Sequence, residues 1–334
     1  MYRADAGDGP EPIGFLLVPK FSMMAFLCAV EPLRVANRLA GREIFAWHAY
    51  SSDGAPVEAS NGMRIMVEGP VEAIARVPTL LVCAGFEPER FATRNVLRAL
   101  QRLARAGVVL GGIDTGALLL ARARLLDGVT VTMHWEAVAA FREAFPDIRV
   151  RDELYEIDRG RITCAGGTAA MDLMLDMIAT RHGQALAVAV SEQFIHDRIR
   201  DRRDHQRMEP AARLGVSDSR LIKVITLMER HLDEPLGKDR LAGSCGVSTR
   251  QLERLFRARL GATPSAYYVE LRLARARQLL RQTDMSVIEI AAACGFTSAS
   301  SLSRAYRTLF AVPPSRDRLE PSRWMLPLPV ARVR

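Results

Sequence analysis

No apolar run in these 334 residues approaches the roughly 20 residues that a membrane-crossing helix requires. Met1–Pro10 lacks the basic start and apolar centre of a secretory signal, so the chain is expected to stay in the cytoplasm. Cysteine is scarce: Cys28, Cys83, Cys164, Cys245 and Cys294 are the only five. Their number is odd, their spacing is wide and no two form a CxxC pair, which fits a reduced compartment and excludes a structural zinc. No cluster of ligating side chains calls for a metal, and no motif calls for a cofactor.

The chain does have length and apolar content. With 49% apolar residues it can bury a sizeable core, and its size predicts two domains. Charge is unevenly spread. Val216–Arg334 carries 20 Arg plus Lys against 11 Asp plus Glu, a net +9, whereas the whole chain is +8. Met1–Gly215 is therefore left at −1. A general solubility effect does not predict such segregation; a nucleic-acid-binding module joined to a neutral sensor or enzyme domain does.

Within the basic part, two stretches share one design. LGKDRLAGSCGVSTRQLERLFRARLG ends at Gly261, and MSVIEIAAACGFTSASSLSRAYRTLF ends at Phe310. In each, an apolar helix stops at Cys-Gly (Cys245-Gly246, Cys294-Gly295), where glycine can take the positive φ of a tight helix-turn-helix corner. Ser248 caps the next helix in the first stretch, and Thr297 or Ser298 in the second. Leu252, Leu255 and Phe256, or Leu302, Tyr306 and Phe310, form its docking stripe. The opposite face carries Arg250, Arg254 and Arg257 in one case and Ser300, Ser301, Arg304 and Arg307 in the other. Such a helix can enter a phosphate-lined groove while its back stays packed.

These residues resemble the DNA-binding domain of the AraC/XylS transcriptional regulators, two helix-turn-helix units joined by one long helix. The similarity runs through Arg250–Phe256, Thr263-Pro264, Arg272, Ala274-Arg275, Leu279-Leu280, Ile288–Ala291 and Gly295-Phe296, and covers the last third of the chain. Two positions depart from the pattern. Ala311 stands where a helix-ending glycine is usual, and Ser301-Leu302 where a His-Phe pair is common. The reading helix of the first unit is expected at Thr249–Arg259. Arg250, Glu253 and Arg254 are assigned to base edges there, with Gln251 and Arg257 nearer phosphate. Ser300, Ser301 and Arg304 are the base readers of the second, with Arg307 on phosphate. Arginine grips guanine bidentately and serine discriminates weakly, so the first unit is expected to carry more of the specificity. At least one of Arg272, Arg275 and Arg277, on the connecting helix, is expected to be buried against an acidic partner or a phosphate.

Ahead of this module, short apolar runs alternate with helical stretches. Ile13–Pro19, Phe45–Ser51, Met63–Glu68, Thr79–Cys83, Val108–Leu110, Val129–Met133, Ile148–Ile157 and Ile162–Cys164 read as strands. Met23–Leu39, Arg90–Ala106, Ala117–Leu126, His134–Phe145, a stretch through Ile178, and Gln184–Ile199 read as helices. The pattern predicts an α/β domain around a mainly parallel sheet. Gly112-Ile113-Asp114-Thr115-Gly116 forms a strand-to-helix elbow with an aspartate where hydrolases carry serine, at the sheet edge where α/β ligands bind.

This region resembles the DJ-1/PfpI, class I glutamine-amidotransferase-like superfamily, whose fold is a flavodoxin-like sandwich. The whole chain resembles GlxA-like regulators, in which that domain precedes an AraC-type module. The resemblance rests on Phe21–Met24, Glu31–Leu33, Thr115–Ala117, Leu126–Gly128, Thr132–Trp135 and Gly166–Asp172. The superfamily's enzymes have a nucleophilic cysteine at the elbow; here the residue is Asp114, and Ala25 stands near where an assisting acid is expected. Thiol-dependent amide transfer is thereby excluded, and the chain is not expected to be an enzyme. A hydrolase or lyase with a DNA-binding appendage stands as the alternative.

A carboxylate at the mouth of an apolar pocket suits an ammonium, a guanidinium or a quaternary amine. Asp114, Thr115, His134, Trp135, Glu31 and Phe21 form the candidate ligand site, with Trp135 or Phe21 offering an aromatic face. His134 either meets ligand or satisfies a strand end. Trp135 belongs to a cage or to the core, Glu31 to the pocket or a turn, and Asp172 to ligand or to the Gly166–Thr168 bend. The resemblance implies effectors of the arginine, glycine betaine or carnitine type. The domains are expected as 11–196 for ligand sensing and dimerisation, 197–216 as linker, 217–320 for DNA binding and 321–334 as a tail. Promoter DNA, a small-molecule effector, RNA polymerase and a second copy of the chain are the expected partners, and a membrane is not.

Overall fold

Alternation along the strands decides which layer each side chain enters. Strand β1 (Glu11–Leu17) sends Ile13, Phe15 and Leu17 into one apolar layer and Leu16 into the other. In a computed structural model describing residues 9–74, 77–208, 210–283 and 285–319, the chain divides into two units, Met1–Gln206 and Arg207–Arg334. The tail 321–334 and most of Met1–Pro10 lie outside the described residues.

The first unit continues with α1 (Met23–Ala40), β2 (Phe45–Ser51), β3 (Val57–Glu58), β4 (Arg64–Ile65), β5 (Gly69–Pro70), β6 (Thr79–Cys83) and α2 (Arg94–Arg105). Then come β7 (Val109–Ile113), α3 (Gly116–Arg122), β8 (Thr130–Val131), α4 (Val138–Ala144), β9 (Arg149–Val150), β10 (Tyr155–Asp158), β11 (Arg161–Cys164), α5 (Ala169–His182) and α6 (Gln184–Gln193). Seven strands make one sheet in the order β10-β11-β7-β6-β1-β2-β5, parallel except for the β10–β11 pair. The five central strands follow the 2-1-3-4-5 order of flavodoxin-like sheets. Helices α1, α5 and α6 cover one face, and α2, α3 and α4 the other. The expected α/β sandwich is the one observed.

Several expected elements are shorter: the helices expected over 90–106, 117–126 and 184–199 run 94–105, 116–122 and 184–193, and the strand over 129–133 is 130–131. Three more have local reasons. Only Arg64–Ile65 of the stretch 63–68 pairs, in a small hairpin with β3. The helix expected from His134 begins at Val138, because the His134 carbonyl closes a turn on the Ala137 N–H at 2.8 Å. The long strand expected over 148–157 breaks between β9 and β10. There the Thr132 hydroxyl donates to the Arg151 and Glu153 carbonyls, and the Leu154 N–H donates to the Arg202 carbonyl.

The second unit is helical among the described residues: α7 (Pro210–Leu214), α8 (Ser219–Arg230), α9 (Lys238–Ser244), α10 (Thr249–Leu260), α11 (Pro264–Gln282), α12 (Val287–Ala293), α13 (Ala299–Phe310) and α14 (Pro314–Leu319). Helices α9–α10 and α12–α13 are the two helix-turn-helix units. Their corners at Gly246 and Gly295 take φ +69° and +67°. Ser248 caps α10, and Ser298 rather than Thr297 caps α13. No helix among the described residues is long and apolar enough to cross a membrane.

The connecting helix α11 is tied to the second unit through its arginines. Arg272 donates to the carbonyls of Cys294 (2.7 Å) and Gly295 (2.5 Å) and lies 4.1 Å from the centre of the Phe296 ring. Arg277 and Arg281 pair with the fully buried Asp317 at 2.8 and 2.5 Å, and the Tyr306 hydroxyl donates to the same carboxylate. Burial alone would raise the Asp317 pKa; hydrogen bonds from Arg277, Tyr306 and Arg281 hold it below the usual value.

Candidate functional site

The elbow after β7 is built by close approach. A β-carbon on Gly112 would stand 2.3 Å from the Ala117 nitrogen, and one on Gly116 would stand 2.0 Å from the Val82 oxygen. Glycine is thus required at both positions by space. The left-handed residue is Asp114 itself, at φ +61°. Its N–H donates to the Cys164 carbonyl at 2.9 Å, and its carbonyl accepts from the His134 N–H at 3.4 Å. Thr115 is buried, and its hydroxyl donates to the Gly85 carbonyl at 2.7 Å. Two loops therefore converge on Asp114 at the C-terminal edge of the sheet, and a third on its neighbour Thr115.

Asp114 is half-buried. Burial first, and the nearby Glu136 charge second, push its carboxyl pKa up to about 8, against a backbone hydrogen bond at Thr115 that pulls the other way. Burial also raises the Glu136 pKa. Burial pushes His134 down to about 4, so its imidazole is neutral at physiological pH. His134 Nδ1 is within 3.4 Å of the Glu136 nitrogen and 3.8 Å of its carboxylate. Neither Asp114 nor Glu136 is ion-paired with an Arg or Lys among the described residues.

The sequence-selected residues separate here. Asp114, Thr115, His134 and Trp135 come together, with the half-buried Trp135 ring 5.6 Å from the His134 ring. Phe21 joins only through its backbone, which bridges to Gly85. Its ring has no exposed surface and packs edge-on against Phe26 at 5.8 Å, so Phe21 cannot offer a face to a ligand. The Glu31 carboxylate lies on α1 and is taken by Arg34 at 2.7 Å. Asp172 does not serve the Gly166–Thr168 backbone; its carboxylate binds Arg200 and His196. Glu136 was missed in the sequence because nothing in its spacing marks it; the 134–137 turn brings it in. Cys83 and Cys164 lie nearby but are buried, and burial drives both thiol pKa values far upward, Cys164 to about 12. Among the described residues no group of three His, Cys, Asp or Glu side chains could hold a metal.

In the second unit, Arg250, Arg254 and Arg257 of α10 are exposed, as are Ser300, Arg304 and Arg307 of α13. None of these five arginines forms a salt bridge among the described residues. Thr249 and Ser301 are half-buried at the helix starts. Two assignments change character. The Gln251 side-chain oxygen closes a capping box with the Ser248 N–H at 2.9 Å, which holds it at the helix start. Glu253 pairs with Lys238 at 3.0 Å, which holds its pKa low. Beside α13 lies an open groove of about 730 Å³ lined by Ser300, Arg304, Arg307, Pro313 and Ser315. The 19 residues of α11 span about 28 Å, close to one turn of duplex DNA, about 34 Å.

The Helix-turn-helix domain family matches residues 241–319, and the DJ-1/PfpI family matches residues 15–180. The chain is 55% identical over 304 residues to the HTH-type transcriptional regulator CdhR of Pseudomonas aeruginosa, covering 91% of this chain and 90% of that protein. It is 47% identical over 309 residues to the HTH-type transcriptional regulator GbdR of the same species, covering 92% and 84%. Among solved structures, an AraC family transcriptional regulator from Pseudomonas putida is 31% identical. It aligns with a TM-score of 0.52 over 55% of this chain and 100% of that one.

Proposed function

Because the chain belongs to the AraC-family HTH-type transcriptional regulators that place a DJ-1/PfpI domain before a helix-turn-helix domain, and so regulates transcription by binding promoter DNA, we propose that it is switched by a small cationic or zwitterionic metabolite bound at Asp114. The observation that carries the reading is the charge of the elbow. Two carboxyl groups, Asp114 and Glu136, lie close enough for the charge of Glu136 to raise the Asp114 pKa, beside a neutral imidazole, and neither is ion-paired with an Arg or Lys among the described residues. An ammonium, guanidinium or quaternary amine favours the ionised carboxylate there and takes the place of its proton, and the Trp135 indole adds an aromatic wall.

In this reading, residues 11–196 sense ligand and dimerise, 197–216 connect, and 217–320 read DNA. Arg250 and Arg254 lead the base contacts of the first unit and Ser300, Ser301 and Arg304 those of the second. Arg257 and Arg307 hold phosphate. In the same reading the protein acts in the cytoplasm as a homodimeric activator that contacts RNA polymerase, and the front domain does no catalysis, since its elbow carries Asp114 in place of a thiol. A ligand regulates only if it binds the DNA-competent arrangement with a different affinity from the others. Arginine, glycine betaine and carnitine are therefore to be titrated while promoter affinity is measured at fixed salt. A change with one of them, lost in Asp114→Asn while ligand-free DNA affinity persists, is the expected result. No linkage with any small cation removes the effector claim.

A further inference from the structure

The chain leaves the first unit through a strap, residues 194–206, that is hydrogen-bonded at two points to the shell of the Asp114 site. At the first point Asp172 of α5, which has no exposed surface, gathers Arg200. Its carboxylate accepts from the Arg200 backbone N–H at 2.9 Å, from Nε at 3.0 Å and from Nη2 at 2.5 Å, and it lies 3.1 Å from His196 Nε2. Arg200 Nη2 also donates to Thr168 Oγ1 at 2.7 Å. Thr168 ends the bend whose Gly166 packs directly on Asp114.

At the second point the Gln206 side-chain nitrogen lies 2.9 Å from the Met133 carbonyl, 3.1 Å from Thr132 Oγ1 and 2.9 Å from the Glu153 carbonyl. Met133 precedes His134, whose N–H bonds the Asp114 carbonyl. Between the anchors, Leu154 N–H donates to the Arg202 carbonyl at 2.9 Å, and Glu153 and His205 form an antiparallel bridge. Each anchor is thus one or two residues from an atom that touches Asp114. Phe194 and Ile199 also pack the strap against the apolar core. Hydrogen bonds weaken steeply as distance and angle depart from ideal, so these anchors respond to small movements of the bend and the turn.

We propose that residues 194–206 transmit the state of the Asp114 site: occupation moves the Gly166–Thr168 bend and the Met133–His134 turn, and so changes how firmly Arg200 and Gln206 hold the chain just ahead of Arg207. Linkage makes the effect reciprocal, so loosening the strap alters the site. The proposal rests on the effector reading of Asp114, and the test separates the two.

Amide hydrogen exchange on the full-length protein reads both ends. Asp114→Asn is expected to change exchange at the Arg200 and Leu154 amides by about threefold or more, a local opening effect well short of global unfolding. Thr168→Val, which removes only the hydroxyl facing Arg200, should change exchange at the Asp114 and His134 amides while the melting temperature stays close to wild type. If Asp114→Asn does not fold, the Thr168→Val arm decides alone. Silence in both directions overturns the proposal. Binding of glycine betaine or arginine by calorimetry, with strap exchange unchanged at saturation, also overturns it and leaves the effector reading standing. A strap that answers Asp114→Asn while no small cation binds sustains the coupling and sinks the effector reading instead.

Discussion

A β-carbon on Gly166 would stand 2.8 Å from the β-carbon of Asp114, so the bend before α5 and the elbow after β7 touch with no room for a side chain between them. Gly166 also sits at φ +84°, where an L-residue is strained. Gly166→Ala is therefore expected to push the Asp114 side chain off its position and to abolish the response to small cations. Ligand-dependent promoter affinity measures this. A variant that keeps the full response would mean that the elbow position does not matter for sensing.

Burial and the Glu136 charge push the Asp114 pKa up to about 8, so most of its carboxyl groups carry a proton at pH 7. A cation that binds the carboxylate must displace that proton. Its affinity should rise about tenfold per pH unit up to about pH 8 and then level off, and Asp114→Asn should flatten the profile. Stability runs the other way. With a folded pKa above the usual carboxylate value, the protonated group's contribution is complete in acid and is lost as pH rises through about 8. Thermal melts should therefore favour Asp114→Asn over wild type more at pH 9 than at pH 5.

The reading helices give separable DNA predictions. Arg250→Ala or Arg254→Ala should cost about 1–3 kcal/mol on the cognate promoter and relax base preference at one position. Arg257→Ala or Arg307→Ala should weaken all sequences alike and lower the slope of log affinity against log salt by about 1. Footprints and salt titrations that leave both sets at wild-type values would mean that neither exposed face meets DNA.

Ala311 ends α13 at φ +61°, its N–H donating to the Arg307 carbonyl at 3.0 Å, just as Gly261 ends α10 at +66°. A non-glycine residue pays roughly 1 kcal/mol or more for that conformation. Ala311→Gly should raise stability by about 1 kcal/mol, readable in a denaturant midpoint, with DNA contacts unchanged.

Asp317 holds Arg277, Arg281 and Tyr306 together beneath the second helix-turn-helix unit. Removing its charge leaves two largely buried guanidiniums without a counter-ion, so Asp317→Asn should destabilise by about 3 kcal/mol or more. Its lowered pKa means that the contribution is present above the ordinary carboxylate pKa and is lost as pH falls through the folded value. Melting of wild type and variant should therefore converge in acid.

The helix-turn-helix units were legible because their rules are local. Apolar spacing at Leu252 and Phe256, a cap at Ser248 and a corner at Gly246 each act within a turn or two of chain. The strand at Thr79–Cys83 was legible because five consecutive buried residues leave it little else to be. Fates set by distant partners were not legible. Phe21 looked available for a ligand and its ring is in the core, and Glu31, open between a pocket and a turn, is paired with Arg34. Glu136 carried no motif, yet its charge reaches Asp114.

By itself the sequence determined the kind of protein this is: an α/β domain with an acidic elbow in place of a thiol, followed by two Arg-faced reading helices. Hydrophobic period, capping and charge segregation depend only on residue order. The tertiary structure decided which carboxylates share a site and that the strap 194–206 is bonded to that site's shell. Those outcomes depend on hydrogen bonds between residues as far apart as Gln206 and Met133, and no local spacing encodes such pairings.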